Sequence, residues 1–362
     1  MAKADRKNLI ACLRSGDLDR VRALLGTDPA AARSPEVVVE AGRLGSKRAF
    51  ELLLKNGADL NASWRGYRPL HALIQEAPHK HHGAPAAQRV SCLKWMLAKG
   101  ADPETLGGWP STRALITAAF VGQSAYIEEL RRAGAVVDVF VSAAMGEIRT
   151  IERALAKNVD LVNARDSGGL TVLHCSAGSR LGLANKKIQS NLLAIAATLL
   201  DRGAEVAATV RSWSHDVDAV YLAVSAGQRE VFALLLERGA DPIAALPPVI
   251  WRSDTELAEL ALSRGGNLDR AMDDGKPLLN NLVRWGQVEP ALWMLKRGAN
   301  PNIADERGWT AMHQAASRGN EKVMRAILAA GGDPSRIDKE GSTPVDIARE
   351  NGREKIVALL RQ

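Results

Sequence analysis

Large rings are scarce in this chain: three Tyr and four Phe in 362 residues, with aromatics at 4% overall. The 46% apolar fraction is carried mainly by Ala, Leu and Val, which argues against a core of bulky side chains and suits closely stacked helices. Cysteine is nearly absent. Cys12, Cys92 and Cys175 are too few and too scattered for a disulfide framework, and read as buried thiols of a reducing compartment. Long apolar runs are missing as well; Leu192 to Leu200 is among the longest and falls far short of a membrane span. The charged opening from Met1 to Lys7 lacks an apolar core with a cleavage site, so no secretory leader and a cytoplasmic location are expected. The net charge of +7 comes from 48 basic and 41 acidic residues spread along the chain, weak support for nucleic acid.

What the chain does have is a recurring glycine. Gly57, Gly100, Gly203, Gly239, Gly298 and Gly331 each follow a leucine-rich run and precede Ala-Asp or a close variant, and the step from Gly265 to Gly298 to Gly331 is 33 residues both times. A fixed period of this size marks a solenoid, in which each unit buries its apolar stripe only against its neighbours. The clearest unit runs from Gly308 to Pro334. Thr310 stands at a first-helix start, Met312 to Ala316 form that helix, Gly319 breaks it, and Val323, Ile327 and Leu328 are spaced for a second helix that Gly331 ends.

With Arg68-Pro69-Leu70-His71-Ala72, Thr171-Val172-Leu173-His174, Thr310-Ala311-Met312-His313-Gln314-Ala315 and Thr343-Pro344-Val345-Asp346-Ile347-Ala348, this unit resembles the ankyrin repeat along essentially the whole chain. The resemblance implies an all-α fold: one solenoid over residues 1–362, of about eleven stacked helix-turn-helix units joined by short hairpin-like crossings. The expected pairs span 6–26, 35–57, 67–100, 112–134, 139–158, 170–203, 218–239, 247–265, 276–298, 308–331 and 342–362. Capping units are expected at about 6–34 and 342–362, and loop-like insertions at about 77–88 and 179–191. The fifth and eighth copies are degenerate: Asn158-Val159-Asp160 replaces Gly-Ala-Asp, and the histidine motif is missing around Ile250 to Ser253.

No nucleophile elbow, phosphate loop or zinc-protease helix is present, so no catalysis and no cofactor are expected. The resemblance implies that His71, His174 and His313 tie neighbouring repeats together. His79, His81 and His82 form the one histidine cluster, but adjacent residues on a loop without a spaced Cys or carboxylate partner favour a solvated loop over a metal site. The eight tryptophans are more informative. Trp95 and Trp293 fall inside second helices as packing residues. Trp64, Trp109, Trp213 and Trp309 fall in the crossings, and Trp251 and Trp285 end first helices.

In the ankyrin family, hairpin tips and first-helix ends line the concave groove. A partner-binding strip is therefore expected from Trp251, Arg252, Arg284, Trp285, Trp309 and Arg318, with Trp213, Tyr67 and Trp64 at equivalent sites. The alternative for the crossing aromatics is packing between adjacent hairpins. Two functions fit: a monomeric scaffold capturing an acidic or aromatic-bearing protein or peptide away from membranes, or an electropositive groove holding nucleic acid or another phosphorylated ligand through Arg252, Arg284, Arg318, Lys186 and Lys187.

Overall fold

A computed structural model describes residues 3–75, 84–212, 215–272 and 275–361. The chain forms two compact units, residues 1–238 and 239–362.

The first unit contains α1 (Lys3–Ser15), α2 (Leu18–Thr27), α3 (Pro35–Leu44), α4 (Lys47–Lys55), α5 (Pro69–Gln75), α6 (Ala86–Ala98) and α7 (Ala114–Val121). It continues with α8 (Ser124–Arg132), α9 (Val139–Ala144), α10 (Ile148–Lys157), α11 (Val172–Ala177), α12 (Lys186–Asp201), α13 (Ala219–Ala226) and α14 (Arg229–Glu237). Its crossings include one antiparallel pair, β1 (Thr209–Arg211) with β2 (Asp216–Asp218). The second unit contains α15 (Pro242–Trp251), α16 (Thr255–Ser263), α17 (Leu278–Arg284), α18 (Val288–Lys296), α19 (Ala311–Arg318), α20 (Glu321–Ala329), α21 (Pro344–Glu350) and α22 (Glu354–Leu360).

The helices pair in sequence, odd with even, and the two partners are buried differently. Residues Ala114–Ala119 of α7 and Ala311–Ala316 of α19 are buried on every side, because each of these helices packs between the odd helices before and after it. Such a position admits small side chains and few charges. The even helices cover this row from one side and bury a single stripe, as α20 does with Val323, Met324 and Ile327.

The recurring glycine ends the even helices. Gly57, Gly100, Gly203, Gly239, Gly298 and Gly331 all have φ between 81° and 94°, a region that a Cβ disfavours. At Gly331 the chain closes in a Schellman motif: Gly331 N–H donates to Leu328 O at 3.0 Å and Gly332 N–H to Ile327 O at 2.9 Å. The fifth pair lacks the glycine and ends differently. There Asn158 is extended, and its side chain accepts the Asp160 N–H at the start of a short 3-10 turn over Val159–Val162.

Asparagines four or five residues after these helix ends join one crossing to the next. Asn61 Nδ2 donates to Gly100 O at 2.9 Å while its Oδ1 accepts the Asp102 N–H at 2.8 Å. Asn163 makes the same reciprocal pair with Gly203 and Glu205, and Asn302 with Gly331 and Asp333.

The structure departs from the expected boundaries in three places. Residues 186–191 are not loop: after a 3-10 turn at Leu181–Leu183, Asn185 caps α12 by accepting the Lys187 and Ile188 N–H groups, and Lys186 and Lys187 lie in the helix's first turn. Leu192, Ile195, Ala196 and Leu199 give that helix a buried stripe at helical spacing. Residues 86–88 likewise belong to α6, while 76–83 lie outside the described residues. The eighth pair begins at Pro242 rather than 247. Proline suits a first helical turn and Asp241 caps it through the Ile243 N–H at 2.8 Å, which carries the helix through Pro247 and Pro248.

Two glycine-to-alanine changes separate conformational from steric roles. A Cβ at Gly298 would meet nothing within 4 Å, so Gly298→Ala should cost about 1–2 kcal/mol from the left-handed backbone alone. Gly42, inside α3, would place its Cβ 2.3 Å from Pro69 O. Alanine ordinarily stabilises a helix by about 1 kcal/mol over glycine, yet Gly42→Ala should destabilise more than Gly298→Ala. Urea denaturation of the two variants checks the order.

Candidate functional site

The ends of the odd helices in the second unit carry the residues singled out for recognition. Trp251 is the last residue of α15 and Trp285 caps α17; they are 40% and 60% exposed, unusual for indole. Arg252 follows Trp251 and is exposed, and the Arg284 guanidinium lies 5.6 Å from the centre of the Trp285 ring. Arginine over an indole face is a cation–π contact that keeps the ring oriented while leaving it open to solvent.

Arg318 belongs to this row but already has a task. Its Nε donates to Arg284 O, one of the carbonyls left unpaired at the end of α17. Arg353 repeats the device one pair later, its Nε donating to Ser317 O at 3.2 Å. In the first unit, the fully buried Arg89 donates through Nη1 to Arg43 O at 2.7 Å. An arginine from the following pair thus holds the negative end of an odd helix. The glycine helix breakers could not reveal this, because each donor lies roughly 34 to 46 residues from its acceptor.

Trp309 follows the packing alternative. Its Nε1–H donates to Asp338 in the next crossing at 3.0 Å, Arg307 lies 4.5 Å over its ring, and the His313 imidazole stacks at 6.1 Å. The ring is only partly exposed and links two crossings. Trp109 does similar work in the first unit, where its ring lies against Gly66 so closely that a Cβ there would sit 2.8 Å from Cζ2.

Trp64 and Tyr67 exchange backbone hydrogen bonds at 2.9 and 3.0 Å across a two-residue turn, Arg65-Gly66, with both turn residues at positive φ. That is the geometry of a tight hairpin tip. Both rings are half-exposed. Arg43 lies 6.0 Å from the Trp64 ring and 5.0 Å from that of Tyr67, and Arg65 lies 4.9 Å from Trp64. Trp213 and the trio His79, His81 and His82 lie outside the described residues. Among the described residues no group of three or more His, Cys, Asp or Glu is placed to hold a metal ion, and no helix is long and apolar enough to cross a membrane.

The motif histidines are buried between repeats. His174 Nδ1 accepts the Thr171 N–H at 3.1 Å, so the ring's proton sits on Nε2, which donates to Ala208 O at 2.9 Å. His313 repeats this with Thr310 and Ser342. His71 Nε2 reaches Thr112 O at 2.8 Å, but Arg68 replaces the threonine and leaves Nδ1 buried without a partner. In the ninth pair Asn280 stands in the histidine's place, 33 residues before His313, and its Nδ2 bonds Trp309 O at 2.7 Å in the imidazole's stead.

Burial pushes the pKa of His71 and of His174 down to about 4, and lowers that of His313 as well. The unfolded chain, with imidazole near its ordinary 6.5, then binds more protons than the folded one below that pH. Stability should be intact above pH 6.5 and fall as pH drops toward 4, by about 1.4 kcal/mol per pH unit for each of His71 and His174, with His313 acting in the same direction. Urea midpoints between pH 7.5 and 5 test this. His174→Gln, which keeps a donor but does not titrate there, should flatten the slope.

Residues 252–362 match the family model of ankyrin repeats, in three copies. The solved structure of the human ASB11 ankyrin repeat domain is similar at 21% sequence identity, covering 62% of this chain and 98% of that one, with a TM-score of 0.48. No curated protein matches the chain.

Proposed function

We propose that this ankyrin-repeat protein is a non-catalytic scaffold that holds a protein or peptide partner on the concave face, along the ends of the odd helices of its second unit. Ankyrin repeats generally serve as protein-interaction modules, and the match to residues 252–362 covers the second unit from Arg252 onward. The observation that carries the reading is the exposure of Trp251 and Trp285 at the ends of two successive odd helices, beside Arg252 and Arg284.

Indole that serves packing is buried by its neighbours, as Trp309 partly is. Trp285 at 60% exposure contributes little to the fold and costs about 25 cal/mol for each Å² of ring left in water. Tryptophan and arginine are the side chains most enriched at interface hot spots. Their combination suits an acidic or aromatic-bearing segment, carboxylates meeting guanidinium and rings meeting indole.

Arg318 fills a supporting role in this reading, since its Nε holds the end of α17 that presents Arg284 and Trp285. Trp309, Trp64 and Tyr67 are placed at hairpin tips; among them the Trp64–Tyr67 pair, flanked by Arg43 and Arg65, offers a second aromatic and basic surface. Nucleic acid or a phosphorylated ligand would draw on the same Arg252 and Arg284. Lys186 and Lys187, in the first turn of α12, belong to the other unit.

The test pairs Trp251→Ala and Trp285→Ala in one variant. A partner is captured by cross-linking to the wild-type chain, identified, and its affinity measured for both proteins. A hot-spot role predicts at least an order-of-magnitude loss, each indole contributing about 2 kcal/mol or more. Unchanged affinity in a folded double variant would sink the reading. Affinity for unrelated oligonucleotides that collapses between 50 and 200 mM salt would transfer it to nucleic acid.

A further inference from the structure

A cavity of about 390 Å³ opens between α16 and α18, beside the end of α15, and none of the exposed tryptophans lines it. Its walls are Ile250, Ala258, Pro290, Leu292 and the half-buried Trp293, with Asp254, Glu289 and Lys296 supplying charge. The volume falls within the range of small-molecule pockets.

The sequence explains why the space exists. Counting from each helix's N-cap, Ala258 of α16 occupies the position that Met324 fills in α20 and Phe232 in α14, both completely buried. Alanine there removes several carbons from the seam between neighbouring even helices. Side-chain volume missing from one wall leaves a void that the other wall does not collapse to fill.

The three charged groups are not equivalent. Glu289 pairs with Lys322 of α20 at 2.7 Å, and Asp254 accepts the Leu257 N–H as the N-cap of α16. Both carboxylates are already engaged. The neighbouring Arg297 pairs with Glu259 at 2.5 Å, a charge contact without hydrogen-bond geometry. Lys296 is exposed and has no ion pair or side-chain hydrogen bond among the described residues. It stands one helical turn from Trp293, on the same face of α18.

The geometry points to a binding site for a small amphipathic carboxylate, its apolar body against Trp293, Pro290 and Ile250 and its anionic group on the Lys296 ammonium. An apolar pocket with one unpaired cation at its edge discriminates by charge: a cation of the same shape would face Lys296, and a neutral analogue would gain only the apolar contact.

The probe is 4-phenylbutyrate, compared with 4-phenylbutan-1-ol and 4-phenylbutylammonium. Binding is read from the indole N–H cross-peak of Trp293 in ¹⁵N-labelled full-length protein, assigned through Trp293→Phe. The carboxylate should bind with a Kd on the order of 1 mM, as expected for a ligand of this size, about tenfold more tightly than the alcohol and the ammonium. Lys296→Met, which keeps the stem, should abolish the advantage of the carboxylate while leaving the alcohol unchanged. Ala258→Met should fill the void and weaken both ligands. Equal affinity for carboxylate and ammonium, an advantage that survives Lys296→Met, or no movement of the Trp293 peak with any probe would each overturn the proposal.

Discussion

Helical pairs in this protein end in backbone groups that they cannot satisfy alone, and a neighbouring pair satisfies them. The carbonyl of Gly100, Gly203 or Gly331 is bonded by an asparagine from the preceding crossing, and that asparagine's oxygen accepts the N–H two residues on. Ala208 O and Ser342 O are bonded by histidines of the preceding odd helix. The His174–Ala208 bond is buried, where an unpaired carbonyl would cost roughly 1–3 kcal/mol; the asparagine bonds to Gly100, Gly203 and Gly331 lie at the exposed edge and set geometry more than energy. The stack is thus held by directional bonds at each junction in addition to burial, which fixes the register of successive pairs.

That register decides which side chains remain available for recognition. Odd helices such as α7, α17 and α19 are buried along their length and present chiefly their ends. At those ends the carbonyls need donors, and Arg89, Arg318 and Arg353 supply them from the following pair. Arginine is suited to this because its planar head carries five donors: Arg318 and Arg353 bond a carbonyl with Nε and remain exposed, while the buried Arg89 bonds two carbonyls, Arg43 O and Leu73 O. A basic row therefore arises first from the needs of helix termination. Exposed indole has no such origin, which is why Trp251 and Trp285 separate from the other tryptophans once their surroundings are known.

Much of this architecture was legible in the sequence, because it depends on short-range signals. The glycines that end the even helices need a left-handed backbone, and their 33-residue recurrence gave the pairing of helices. The threonine–histidine motif sits within three residues and gave the inter-repeat bond. What escaped was set by distance or by context. Nothing local says that Arg318 reaches the carbonyl of Arg284, or that Asn61, Asn163 and Asn302 each reach a helix end some 29 to 40 residues further on. Lys186 and Lys187 read as loop because glycine and a basic cluster precede the apolar stripe, whereas Asn185 starts the helix ahead of them. Trp309 in its crossing and Trp285 at its helix end both read as groove residues, and only their surroundings, with Asp338 and Arg307 on Trp309, distinguish the packed ring from the open one.

The eighth pair is where these rules relax together. α15 carries Pro247 and Pro248 in its interior, so two backbone donors of a standard helix are missing. The pair has no histidine motif, and a non-glycine residue, Ser253, takes the left-handed turn at φ 59°. Its even helix offers Ala258 where α14 offers Phe232 and α20 Met324. A repeat optimised only for stacking would be selected against on each count, since every one of these choices weakens a junction. In their place the pair presents Trp251 and Arg252 at the end of α15 and, beside that end, one wall of the 390 Å³ cavity. Departures from the repeat pattern that cost stability and coincide with exposed indole and an open pocket are the signature expected of a site kept for binding.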